Sequence, residues 1–214
     1  MNTSKKAKEA LRYWYYMPKR MRLKNKKPTI FCMSCVGGMI YHDMRLQFRS
    51  PTVNLSIRHH EFMCFLENIE YYLSCEIKQI FEEGVSHPIG LMRRGSETVR
   101  LYFVHYHTFE EAVKKWRERC KRVDLNNSFV IMEYMSIQET DRLWKRFCAL
   151  PFKNKVVLTG STPFEHPDMV HIDMYNDPFV AGRIFAIKPG SFLHRWLDDF
   201  DYVSFLNRNN IEDS

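Results

Sequence analysis

Three groups of residues in this 214-residue chain have types and spacings suited to chemistry. The first is a pair of strand-end residues: His105, followed by Tyr106, closes the β-rich run Thr98 to Val104, and Glu133 closes the apolar run Phe129-Val130-Ile131-Met132. Imidazoles titrate near neutral pH, and open α/β sheets bind ligands beyond the carboxyl ends of their strands, so His105 and Glu133 are placed to take a proton from an attacking hydroxyl. The second is a cationic flank, Lys115, Arg119 and Arg122, on one helix. Guanidinium forks match phosphate oxygens two at a time. The third is Gly37-Gly38, read as a turn entering a helix, with the loop Ser50-Pro51-Thr52. Glycine lets a phosphate approach backbone N–H groups at a helix start. The expected site therefore has His105 and Glu133 as catalytic groups. Gly37, Gly38, Ser50, Thr52, Tyr106, Arg119 and Arg122 are its binding residues, for a sugar phosphate or nucleotide sugar.

Other chemistries find less support. Cys32-Met33-Ser34-Cys35 has redox or zinc spacing, but no second such pair or spaced histidine pair completes a metal site. No metal and no cofactor are expected. No nucleotide fingerprint is present. The six cysteines lie mostly in core-like patterns, which fits a reducing compartment. The mostly apolar stretch from Ile30 to Tyr41 is too short to span a bilayer.

The formal charge of +7 is concentrated at one end. Residues 1–27 hold ten Lys and Arg against Glu9 alone, which leaves residues 28–214 slightly acidic. That argues against a sequence-specific nucleic-acid surface built into the fold. Leu11, Trp14, Tyr15 and Tyr16 sit among these cations. Aromatic and basic residues together suit an anionic membrane surface, and the same aromatics would equally dock a solvated helix onto the body. The expected location is cytoplasmic, peripheral to the inner face of the membrane.

These side chains must be held by a large core, which an apolar fraction of 45% can supply. Residues 30–34 read as a buried strand feeding a helix from Met39 to Leu46, and Val53 to Ile57 as a second strand. From His59 to Leu73 apolar residues recur at helical spacing. Thr108 is an N-cap for a helix to about Arg122, with Phe109, Ala112, Val113, Trp116 and Cys120 on one face. A strand at 127–133, a helix at 138–150, strands at 155–159 and 169–173 and a helix near Pro189 follow. This rhythm predicts an α/β fold: a single domain at 28–214 behind a basic leader at 1–27. It has a mixed or mostly parallel sheet with helices on both faces in Rossmann-like layering.

One ordered set of residues is similar to a known family. It comprises Cys35-Val36-Gly37-Gly38 with Tyr41, Ser50-Pro51-Thr52-Val53-Asn54-Leu55 and Phe65-Leu66-Glu67-Asn68 with Tyr72-Leu73. It continues through Pro88-Ile89-Gly90 and His105-Tyr106 followed by Glu110, Glu111, Ala112, Trp116, Arg119 and Arg122, and ends at Asn154-Lys155. The chain resembles bacterial proteins of exopolysaccharide and capsule biosynthesis loci that are grouped as a domain of unknown function. Family members carry Ser-Asn-Asn before the cysteine where this chain has Cys32-Met33-Ser34. The resemblance implies an α/β fold and a part in making or decorating surface polysaccharide. It names a pathway without a reaction. Two functions are consistent with it: a transferase acting on an activated or phosphorylated sugar, and a non-catalytic, membrane-peripheral scaffold.

Overall fold

The computed structural model of the protein describes residues 10–133, 137–162, 164–177 and 183–208. Four parallel strands form the central sheet: β1 (Thr29–Cys32), β5 (Ser128–Glu133), β6 (Asn154–Thr159) and β7 (Met169–His171), in the spatial order β1-β5-β6-β7. Register is continuous across the sheet, with Cys32 opposite Ile131, Ile131 opposite Val156 and Glu133 opposite Leu158. A second sheet of three antiparallel strands, β2 (Lys78–Ile80), β3 (Ile89–Arg94) and β4 (Glu97–Tyr102), lies between β1 and β5 in sequence.

Side chains alternate along each central strand, so the sheet has two apolar faces and each needs its own cover. Phe31, Val130, Met132 and Val157 point into one core, with α3 (His59–Glu67), α4 (Ile69–Ser74), α5 (Phe109–Cys120), α6 (Ile137–Ala149) and the antiparallel sheet. Ile30, Cys32, Phe129, Ile131, Val156 and Leu158 point into the other. There they meet α2 (Val36–Asp43), the N-terminal helical segment that ends in α1 (Met17–Arg22), and the C-terminal turns with α7 (Tyr202–Leu206). The protein is thus a mixed α/β domain layered on both faces of a mostly parallel sheet.

Local rules account for most boundaries. Thr108 caps α5 by accepting from the Glu111 N–H at 3.2 Å, with Glu110 and Glu111 in the first turn, where the helix dipole favours negative charge. Ala112, Val113 and Trp116 are buried as their spacing requires. The apolar run from His59 breaks at Asn68, whose φ of −131° and ψ of 40° leave the helical region and split it into α3 and α4.

Three expected elements differ. Gly37 and Gly38 lie inside the first turn of α2, which starts at Val36. Val53 to Ile57 is a turn with one bridge, Ser56 to Tyr102, because Thr52 and Val53 are held to β1 and α5 by side chains instead of by a strand ladder. The region after Pro189 forms short turns and the five-residue α7. Residues 1–9 of the expected leader lie outside the described residues. Residues 10–22 are helical and pack on the body. Tyr16 is buried and donates its hydroxyl to Asp198 at 2.9 Å, and Lys19 reaches the same carboxylate at 2.9 Å. Among the described residues no helix is long and apolar enough to cross a membrane.

Candidate active site

Ser34 and Cys35 follow β1 after Met33, and Cys35 is the residue before α2. The Cys35 Sγ lies 3.1 Å from His105 Nε2, in the loop that follows β4. Glu133 ends β5, the neighbour of β1, so Cys35 and Glu133 lie beyond the carboxyl ends of adjacent parallel strands, and His105 reaches Cys35 from the antiparallel sheet.

Glu133 is held from several sides. Its Oε1 accepts from the Ser34 hydroxyl and, at 3.7 Å, from the Cys32 thiol, while Oε2 accepts from the Tyr175 hydroxyl at 2.9 Å. His59 Nε2 lies 2.8 Å from the Glu133 backbone carbonyl, and a carbonyl only accepts, so that nitrogen carries the hydrogen. Burial pushes the Glu133 carboxyl above the usual carboxylate range, against the opposing pull of Ser34, Tyr175 and Cys32. Burial also raises the Cys35 thiol, and the charge on Glu133 raises it further. The thiol therefore keeps its proton at neutral pH, and the adjacent His105 ring is the group that can accept it as a bond forms. Cys35 is half-buried and His105 exposed, which leaves the pair open to solvent on one side.

Tyr175 reaches Glu133 because Gly160, just past β6, allows the turn at Asp173–Asn176 to press against the sheet. A Cβ on Gly160 would lie 2.8 Å from the Tyr175 carbonyl carbon and 2.9 Å from its oxygen, closer than real contacts allow.

The expected binding residues are placed elsewhere. Arg119 is 7% exposed, and its Nη1 donates to the Val53 carbonyl at 2.9 Å and the Tyr106 hydroxyl at 2.7 Å. Arg122 Nη1 donates to the Phe48 carbonyl at 3.1 Å. Ser50 and Thr52 bond each other at 3.0 Å, and Thr52 Oγ1 accepts from the Cys32 N–H at 3.1 Å. Together these residues stitch the loop at 48–53 to α5 and β1. Arg119 and Arg122 line a shallow hollow of about 320 Å³ with Leu46, Phe48, Lys115 and Glu118, and neither His105 nor Glu133 borders it. Gly37 and Gly38 permit close packing: a Cβ would lie 3.2 Å from Cys32 Cβ at the first and 3.2 Å from Asn54 Oδ1 at the second. The Val36 N–H is already taken by Ser34 Oγ at 3.2 Å. Of the expected set, the structure brings His105 to Cys35 and Glu133 to Ser34, Cys32 and Tyr175, and bonds Arg119 and Arg122 to backbone carbonyls. Among the described residues no three His, Cys, Asp or Glu side chains are grouped to hold a metal.

Residues 6–207 match a family described as a domain of unknown function, DUF1919. The chain belongs to that family. A relative from Haemophilus influenzae, described as an uncharacterized protein, is 32% identical over 212 residues, covering 97% of this chain and 99% of its own. The likeness therefore runs through the N-terminal helices and the strand-end cluster alike.

Sequence reasoning about this DUF1919 chain missed Ser34, Cys35, His59 and Tyr175 as members of the cluster. Cys35 carried a signal: a cysteine between a buried strand and a glycine-containing helix start sits where a strand-to-helix turn exposes a nucleophile. Tyr175 gave none, since its role depends on Gly160 and on the order of the strands.

Proposed function

We propose that the protein is a covalent group-transfer enzyme that decorates a surface polysaccharide, with Cys35 as nucleophile and His105 as its base. The observation that carries this reading is the 3.1 Å approach of Cys35 Sγ to His105 Nε2 at the start of α2. The positive end of the helix favours negative charge developing on the sulfur or on an attacked carbonyl oxygen. In the first half-reaction His105 takes the thiol proton as sulfur bonds to the carbonyl carbon of an activated acyl donor. The donor's leaving group departs with that proton, leaving a thioester on Cys35. In the second half-reaction a sugar hydroxyl attacks the thioester carbon, its proton passes to His105 and then to the departing sulfur. Glu133, held by Ser34 and Tyr175, fixes the floor of the site. The resemblance to proteins of exopolysaccharide and capsule loci supports a sugar acceptor. Transfer of a sugar from a sugar phosphate or nucleotide sugar, with His105 and Glu133 as proton acceptors, has less support, because Arg119 and Arg122 are bonded to backbone carbonyls.

Incubation with acyl thioesters followed by intact-mass and peptide mass spectrometry tests this. One acyl adduct on Cys35 is expected, absent in Cys35→Ala and formed about 100-fold more slowly in His105→Gln, the usual scale of a lost general base. Turnover of any acyl donor that survives Cys35→Ala unchanged would remove Cys35 from the mechanism.

A specific observation favours a peripheral membrane position. Leu11, Trp14, Met17 and Met21, spaced three and four residues apart on the N-terminal helices, are exposed, Trp14 at 64% and Met21 at 76%. Lys24, Lys26 and Lys27 follow them. An apolar stripe beside cations fits the boundary of an anionic bilayer, where a polysaccharide would be assembled on a lipid carrier.

A further inference from the structure

At the far end of α2 from Cys35, the N-terminal helix and the turn after α2 enclose a hollow of about 570 Å³ that the transfer reaction does not use. Its walls include Arg12, Arg20 and Arg45 against one carboxylate, Asp43, with the aromatic rings of Tyr13 and Phe48. Asp43 does not neutralise the set. Its Oδ2 is bonded by the buried Arg195, and its Oδ1 lies 3.5 Å from Arg12 Nη2 and 3.6 Å from His42 Nδ1. Among the described residues Arg20 donates only to backbone carbonyls, of Asp43 at 2.6 Å and Tyr13 at 3.1 Å. Arg45 stacks its guanidinium 4.3 Å from the centre of the Tyr13 ring, and Arg20 shares that ring at 5.0 Å. Among the described residues Arg45 has no carboxylate partner, and Arg12 Nη2 is buried without a hydrogen bond.

Three permanent cations gathered around one concavity repel each other, and Arg20 shows it: burial and the neighbouring Arg45 together lower its hold on its proton. Arg45 also stands at a φ of +54°, the left-handed position that closes α2 and that favours glycine. The hollow thus holds three guanidiniums around one carboxylate that Arg195 already bonds. We infer that this hollow binds a phosphate-bearing group, its oxygens accepting from Arg12, Arg20 and Arg45. The ligand is either a free phosphate monoester or the phosphate headgroup of a membrane lipid. The exposed Trp14, on the same helix as Arg12 and Tyr13, makes the headgroup the source that ties this site to the membrane position proposed above.

Calorimetric titration of the full chain with inorganic phosphate and with glycerol phosphate tests the shared chemistry. Sedimentation with phosphatidylcholine vesicles, with and without phosphatidic acid, tests the lipid source. Arg45→Gly removes the cation while relieving the left-handed backbone, so it is expected to melt no lower than wild type and to bind about tenfold more weakly, about 1.4 kcal/mol. Loss in both assays assigns the site to a lipid headgroup, and loss of soluble phosphate binding alone assigns it to a free phosphate. Phosphate and vesicle binding both unchanged in Arg45→Gly and in Arg12→Gln would overturn the inference. Trp14→Ser separates the two proposals: reduced vesicle binding with phosphate binding intact keeps the hollow and supports the membrane face. Unchanged vesicle binding removes the membrane face alone.

Discussion

The thiol of Cys35 and the imidazole of His105 stand 3.1 Å apart although 70 residues separate them. One residue caps the start of α2 three positions past β1, and the other lies in the loop that leaves β4. The thiol sits under two influences with opposite effects on its reactivity: His105 can take its proton, and Glu133 opposes its negative charge. Alkylation by iodoacetamide, followed residue by residue by peptide mass spectrometry, reads both. Labelling of Cys35 is expected to rise with pH across the neutral range, to slow in His105→Gln and to quicken in Glu133→Gln. Equal rates in all three proteins would mean that the pair is a packing contact without chemical coupling.

Glu133 also makes stability depend on pH. Its folded-state carboxyl is raised above 4.5, so between that value and its raised one the folded chain holds a proton that the unfolded chain has lost. More protons bound in the folded state means that stability falls as pH rises through this window. Glu133→Gln keeps one acceptor oxygen for Ser34 or Tyr175, turns an amide N–H toward the other hydroxyl, and removes the titration. The melting temperature of the variant is expected to flatten from pH 4.5 upward relative to wild type, and at neutral pH to equal or exceed it. A steeper fall in the variant would contradict the buried, proton-holding carboxyl.

Gly160→Ala is a test of how Tyr175 is placed. The added methyl meets backbone atoms of Tyr175, which cannot swing aside as a side chain would. Overpacking of this kind costs about 1–3 kcal/mol. Thermal unfolding should show that loss, and because the turn at 173–176 must retreat, Tyr175→Phe in the Gly160→Ala background should cost little more. Full additivity of the two would show that the Tyr175–Glu133 bond survives the alanine.

The sheet was legible because each central strand is a short apolar run bounded by breakers: Pro28 before β1, Asn126 and Asn127 before β5, Gly160 after β6. The position of Glu133 at a strand end was legible for a related reason, since strand ends in a parallel sheet share one edge, whereas His105 comes from the loop after β4 of the antiparallel sheet. The antiparallel insertion was harder to see. Its hairpin turns at Gly95-Ser96, with Gly95 at a φ of +59°, between strands whose outer residues are arginines and a glutamate that give little apolar alternation. The arginines misled for a physical reason. A helical wheel shows that Arg119 and Arg122 lie on one flank, but whether that flank faces a ligand or a loop depends on residues 48–53. These residues form no regular element and leave no periodic signature.

Arg119 and the carbonyl of Val53 make the sharpest contrast between a binding and a structural role. A buried guanidinium donating to a backbone carbonyl and to Tyr106 leaves those two acceptors with only the 3.5 Å bond from the Tyr106 hydroxyl to the Val53 carbonyl when it is removed, and hydrogen bonds to charged groups contribute about 1.5–3 kcal/mol. Arg119→Ala is therefore expected to lose about 3 kcal/mol, and a chain of this size moves by about 2–4 °C in melting temperature per kcal/mol. Arg122, more exposed and bonded once, should cost about 1 kcal/mol when truncated. Circular dichroism melts of the two variants read the difference, and Arg119→Lys should recover only part of the loss because an ammonium cannot match the planar fork. If Arg119→Ala instead melts like wild type while losing affinity for sugar phosphates, the guanidinium belongs to a ligand and not to the loop.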